Sequence, residues 1–125
     1  MSKILSREAI LAADDLKPSL TAVEVPEWTG VVYVRVMTGA ERDAVEGLYA
    51  TNKYDNFRAK VAVACACDAE GKSVFQADDA QALGVKNGNA LVRIFDAAMQ
   101  VNKLREEDLK AAVKNSEASP GDASS

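Results

Sequence analysis

Histidine is absent from this chain. That absence removes the commonest general base, the Ser–His and Cys–His nucleophile pairs and most catalytic zinc sites. Cysteine is nearly absent too, with Cys65 and Cys67 the only two. They stand too close in sequence to staple a fold, and their scarcity points to a reducing compartment. Side chains two apart on a helix diverge by roughly 200°, so the pair is expected to be ordinary buried thiols rather than ligands of one ion. No apolar run approaches the roughly 20 residues needed to span a bilayer. The first residues, Met-Ser-Lys-Ile-Leu-Ser-Arg-Glu, lack the apolar core of a signal peptide. Positive charge is not in excess: the net charge is −4, which argues against a nucleic-acid face. No catalytic constellation, cofactor motif or metal-ligand spacing emerges, and an enzyme is not expected.

What remains is a chain of 125 residues, 48% hydrophobic, enough for one domain with a core. Its most strongly specified stretch runs from Val23 to Glu46. Val23 and Val25 alternate with polar residues, and Pro26 to Gly30 has the composition of a reversal in which Gly30 takes positive φ. Val32, Val34 and Val36 then alternate with Tyr33, Arg35 and Met37, the period of a strand with one buried face. These spacings predict strands over Leu20–Val25 and Val31–Met37. Thr38 followed by Glu41 is a capping box, opening a helix from Gly39 to about Ala50.

Before the hairpin, Ser6 caps a short helix from Arg7 to about Leu16, stopped by Pro18 and needing to dock on something. After the polar break Thr51–Asn56, the segment Phe57–Cys67 is alanine-rich and apolar on every side. It reads as a wrapped helix, with a buried strand as the rival. Asp68–Lys72 is a turn and Ser73–Phe75 a short extended piece. Asp78 or Asp79 opens a helical turn ended by Gly84 as a C′ residue. Asn87 or Asn89 opens the last long helix, with Leu91, Ile94, Phe95, Ala98 and Val101 on one stripe. Glu106–Lys114 forms a final amphipathic helix, and 115–125 is a polar, disordered tail. The expected fold is α+β, mostly helical, with about five helices and one two-stranded antiparallel hairpin, in a single domain over 1–114.

Other patterns invite chemistry and lose to simpler accounts. Gly84–Asn89 lacks the Gly-Lys-Ser/Thr ending of a phosphate loop and is explained by a helix stop and the next cap. The acids Asp14-Asp15, Asp78-Asp79 and Glu106-Glu107-Asp108 lack the alternation of a calcium loop. Two of those clusters stand at helix starts, where acids are favoured. Harder to assign to a core are Trp28 at the hairpin tip and Tyr33 and Met37 opposite the valines. They are either packed by the N-terminal helix or form, with the hairpin's open edge, a patch for a partner or a second copy of the chain.

The run Val23-Glu24-Val25-Pro26-Glu27-Trp28-x-Gly30, followed by Val-x-Val-Arg-Val-Met-Thr-x-Ala-Glu-Arg-Asp-Ala, resembles the tail assembly chaperones of long-tailed, non-contractile bacteriophages. The similarity continues through Val61–Cys67, the Asp68-x-x-Gly-Lys turn to Phe75, the Asp78–Leu83 helix with Gly84, and Leu91-x-x-Ile-Phe-Asp to Asn102. It covers roughly Val23 to Val113. Arg105 departs from it, standing where a Ser-type cap would precede the last helix. The resemblance implies a non-catalytic protein of the host cytoplasm that holds the aggregation-prone tape measure protein soluble while tail tube subunits assemble around it. It implies neither a membrane nor a nucleic-acid partner. It also implies a second, longer product made by ribosomal frameshift, with Lys114-Asn115 as a candidate slip point. On this reading Trp28, Tyr33 and Met37 contribute to client binding. The rival expectations are a head–tail connector or minor tail protein of the virion, and a non-viral adaptor acting through the hairpin.

Overall fold

The computed structural model describes residues 3–104. The final helix expected over Glu106–Lys114, the departure at Arg105, the Lys114-Asn115 slip point and the tail 115–125 lie outside the described residues. Within them the class is α+β, as expected. The order is α1 (Arg7–Leu11), β1 (Thr21–Val25), β2 (Gly30–Val34), α2 (Gly39–Ala50), α3 (Phe57–Cys65), β3 (Ala66–Cys67), α4 (Asp79–Leu83) and α5 (Gly88–Val101).

The hairpin forms in the register that keeps its valines on one side, with Val23 opposite Val32 and Val25 opposite Gly30. Its reversal is a 3-10 turn over Pro26–Trp28, and Thr29, not Gly30, takes the left-handed conformation at φ 50°. The sheet is larger than the expected two strands. The last two residues of the apolar Phe57–Cys67 segment leave the helix as β3 and pair antiparallel with Tyr33 and Val34 of β2. Both readings of that segment therefore hold in part: helix to Cys65, buried strand after it.

The second strand ends at Val34, three residues before its apolar alternation does. The next amides are taken by other groups: Arg35 N–H donates to the Cys65 carbonyl, Val36 N–H to Ser19 Oγ, and Met37 N–H to Asn102 Oδ1. Released from the pleat, Met37 turns inward to 8% exposure and joins the core. Its expected place opposite the valines is corrected by that early strand end.

Helix α5 supplies the main cover for the sheet. Its stripe of Ala90, Leu91, Ile94 and Ala98 is buried, packing on α3 and on the valine face of β1 and β2. Asn87 opens it, its side-chain oxygen accepting from the amides of Asn89 and Ala90. The largest fully buried side chains, Val25, Val34, Val61, Cys65 and Ile94, mark where sheet, α3 and α5 meet. Burial of that much apolar surface is the dominant stabilising term. Helix α2 closes the other side of α3 and begins with the expected capping box.

Two glycines have structural reasons that differ from a simple stop signal. Gly84 ends α4 with ordinary right-handed geometry, φ −65°. A Cβ there would lie 2.5 Å from Asn56 Oδ1, so a larger residue would force the Asn56 side chain to move; the glycine serves contact, not positive φ. Gly71 takes φ +84° and brings the Asp68–Lys72 turn against the backbone of Lys17.

The N-terminal helix lies exposed, docked on none of the described residues. It is shorter than expected, ending at Leu11 before Asp14 and Asp15, whose charges oppose the helix dipole at a C-terminus. None of its residues is buried.

Candidate partner-binding surfaces

Among the described residues, apolar surface stands open in three places on the body that follows the N-terminal arm. The first is a cleft of about 900 Å³. It runs along one cluster of rings, Tyr49 at the end of α2, Tyr54 in the polar break, Phe57 on α3 and Phe95 on α5, with Met99 also in the lining; Tyr49 and Tyr54 both pack on Phe57, at 6.3 and 6.4 Å. The rings pack edge to face: Tyr49 and Tyr54 at 5.5 Å, Phe57 and Phe95 at 6.0 Å between centroids. Arg58 places its guanidinium carbon 5.6 Å from the Phe95 centroid, a cation–π contact on the rim. Left-handed turns at Asn52 and Asn56 fold the break so that Tyr54 reaches back over Tyr49. Asparagine adopts that conformation more readily than most residues.

The second surface is a groove of about 300 Å³ on the opposite side of α3, lined by Leu48, Val63, Ala64, Phe75 and Ala77 with Glu41 and Lys60 on its edge. The third is the outer face of the sheet, where Val31 and Tyr33 are exposed. Strand β1 pairs with β2 alone, so its other edge is unpaired among the described residues.

Of the three residues singled out in the sequence, the structure leaves one at the surface. Tyr33 is 38% exposed on the outer sheet face. Trp28 is half-buried against the core. Its turn is held to α5 by Glu27, whose carboxylate accepts from Arg93 Nε at 2.9 and 3.2 Å. The Arg93 hydrogen bond holds the Glu27 carboxyl below its ordinary pKa. Met37 is buried. The three do not form one patch. The aromatic cleft was missed although Tyr49, Tyr54 and Phe57 cluster around a polar break; Phe95, far along the chain, gave no such signal.

The charged centre of the molecule is structural. Arg35 is 4% exposed and reaches the capping-box acid, with NH1 3.0 Å and NH2 3.3 Å from the two oxygens of Glu41. NH1 also donates to the Val36 carbonyl and NH2 to Ser73 Oγ, leaving the buried Nε without a partner. The same Glu41 accepts from Thr38 N–H at 2.8 Å. Partial burial alone would raise the Glu41 pKa, but the Arg35 and Thr38 hydrogen bonds outweigh it and hold the carboxyl below its ordinary 4.5. Because the folded value is depressed, the stabilisation is complete above 4.5 and is lost as pH falls through the folded value. Urea unfolding of the parent chain and of Glu41→Gln should therefore differ at neutral pH and draw together as pH falls below 4.5 through the folded value. A constant difference would remove Glu41 ionisation from the balance.

Both cysteines are free and buried, as expected. Burial pushes the Cys65 thiol up to about 12 and raises that of Cys67, so neither is a nucleophile at neutral pH. Asp79 Oδ2 accepts from the Gln76 amide, while Asp78 stands at the N-cap of α4 with no side-chain cap bond, and the Asn87 side chain caps α5 at the end of the Gly84–Asn89 loop. Among the described residues no three His, Cys, Asp or Glu side chains come together as a metal site. No described helix is long and apolar enough to cross a membrane. Comparison with known protein families, with curated proteins and with solved structures finds no match to this chain.

Proposed function

We propose that this protein is a non-catalytic tail assembly chaperone of a long-tailed, non-contractile bacteriophage, holding the tape measure protein soluble in the host cytoplasm while tube subunits assemble. The observation that carries the reading is the open aromatic cleft between Tyr49, Tyr54, Phe57, Phe95 and Met99. Client helices of a long rod-like protein would offer apolar faces at i, i+3, i+4 and i+7, and a groove of aromatic and methionine side chains suits that mode of recognition. Methionine and edge-packed rings adapt to many side-chain sequences, as a holdase requires. The net charge of −4 favours a soluble complex. The resemblance from Val23 onward supports the same assignment. A longer frameshifted product would add the domain that recruits tail tube subunits.

Tyr33 and Val31 offer a second contact on the sheet face, and the two surfaces can be separated. Full-length chain would be co-expressed with tape measure protein, and soluble client measured after affinity capture. Tyr54→Lys with Val92→Lys should reduce co-purified client at least about tenfold, because the charges sit where apolar contact forms. Tyr33→Lys with Val31→Lys should have a smaller effect. Both pairs are exposed, so folding is retained. Unchanged capture by both variants would sink the assignment. Retention of the protein in purified particles would identify a structural tail component instead.

A further inference from the structure

Among the described residues the N-terminal arm leaves all four of its large apolar side chains exposed. Ile4 is fully exposed, Leu11 is 68% exposed, and Leu5 and Ile10 are more than half exposed. A helix of five residues has no stability of its own in water, yet Ser6 caps this one, accepting from Ala9 N–H at 3.1 Å. Ile10 and Leu11 on this helix, with Ile4 and Leu5 just before its cap, mark a partner surface.

The same chain offers a surface of the matching kind. The groove between α2 and α3, floored by Leu48, Val63, Ala64 and Phe75, is at the low end of ligand-pocket volumes. It has room for about two leucine-sized side chains rather than a drug-sized molecule. On the groove side Asp78 and Asp79 adjoin the lining residues Ala77 and Ala80 in sequence, and Glu41 lies on the edge with Lys60; the arm carries Lys3 before Ile4 and Arg7, the latter paired with Glu8 at 3.7 Å. The groove side is net negative and the arm net positive, so charge favours their contact.

The root of the arm decides whose groove is filled. Lys17 packs on Gly71 and pairs with Glu70 at 2.9 Å, and Ser19 Oγ holds Val36 N–H, so residues 17–19 are fixed close to the Ser73 rim of the groove. The arm is thus within reach of its own groove, yet none of its residues enters it. Residues 12–16 can extend at most about 3.5 Å each, enough to carry the helix across to a neighbouring body. We infer that two copies of this chain exchange their N-terminal arms, the Ile4–Leu11 segment of each seating in the α2–α3 groove of the other. Such an exchange is isologous, so each apolar contact counts twice and the assembly closes at two. It leaves the aromatic cleft on the far side of α3 free.

The test uses the full-length chain in sedimentation equilibrium. The parent chain should associate to a dimer, and Leu5→Ser with Leu11→Ser should weaken association at least about 100-fold. Ala77→Lys, on the groove side, should do the same. None of these residues is buried, so circular dichroism and thermal unfolding of the dissociated chains should stay close to those of the parent. Mixing a Leu11→Cys chain with an Ala77→Cys chain carrying a different tag should give a disulfide between the two on mild oxidation. A parent chain that stays monomeric overturns the inference. So does a dimer that ignores the Leu5 and Leu11 substitutions, and so does a link forming only within one chain that carries both cysteines.

Discussion

Glu41→Ala should lower the unfolding free energy by about 3 kcal/mol, the largest effect expected of any single charged residue here. The loss has two parts. The capping box loses the side chain that accepts from Thr38 N–H, a contribution of about 1 kcal/mol. The larger part is the guanidinium of Arg35, left buried with its main partner gone and one nitrogen already unpaired. Removing both charges should be milder: Arg35→Met with Glu41→Leu should cost clearly less than the sum of the single changes. Urea unfolding followed by the fluorescence of Trp28, the only tryptophan, measures all of these. A loss below about 1 kcal/mol in Glu41→Ala would mean that the pair behaves as a surface ion pair.

Asn102→Ala should cost about 2–3 kcal/mol although it removes no charge. Asn102 is buried just past α5 and ties the end of that helix to the connection after β2. Its Oδ1 accepts from Met37 N–H at 2.7 Å and its Nδ2 donates to the Ala98 carbonyl at 2.8 Å. Truncation leaves the Met37 amide buried without an acceptor and the Ala98 carbonyl with fewer donors, besides opening a void. Hydrogen exchange gives a local readout: protection of the Met37 amide should fall more than that of Val34 or Ile94. Equal loss at all three would show a general rather than a local weakening.

The parts of the fold legible in the sequence are those whose determinants lie within a few residues of one another. Thr38 and Glu41 define the start of α2 between themselves, and Asn87 with the Leu91–Ile94–Ala98 spacing defines α5. The third strand was only partly legible: a buried strand was the rival reading of Phe57–Cys67, but that Ala66 and Cys67 alone take it is decided by pairing with Tyr33 and Val34, distant in the chain. Arg35 was equally hidden. A charged residue alternating with valines is expected to point outward, and its partner Glu41 was already explained as a cap. Met37 shows the limit of periodicity: the alternation continues, but Ser19 and Asn102 take the amides that a longer strand would need. For the surfaces, the sequence marked Tyr33 and overlooked the Tyr49–Phe95 cleft, whose walls meet only after α3 and α5 pack.

One junction bears on how that cleft would receive a ligand. Helix α3 passes into β3 with no intervening residue, Cys65 ending one and Ala66 beginning the other. The helix that carries Phe57 is therefore tied directly to the sheet through the pairing of Ala66 and Cys67 with Val34 and Tyr33. A wall so tied has little freedom to open or breathe independently of the whole domain. An apolar segment entering the cleft meets a surface whose conformational entropy was already lost on folding, and preorganisation of that kind strengthens binding without adding a contact.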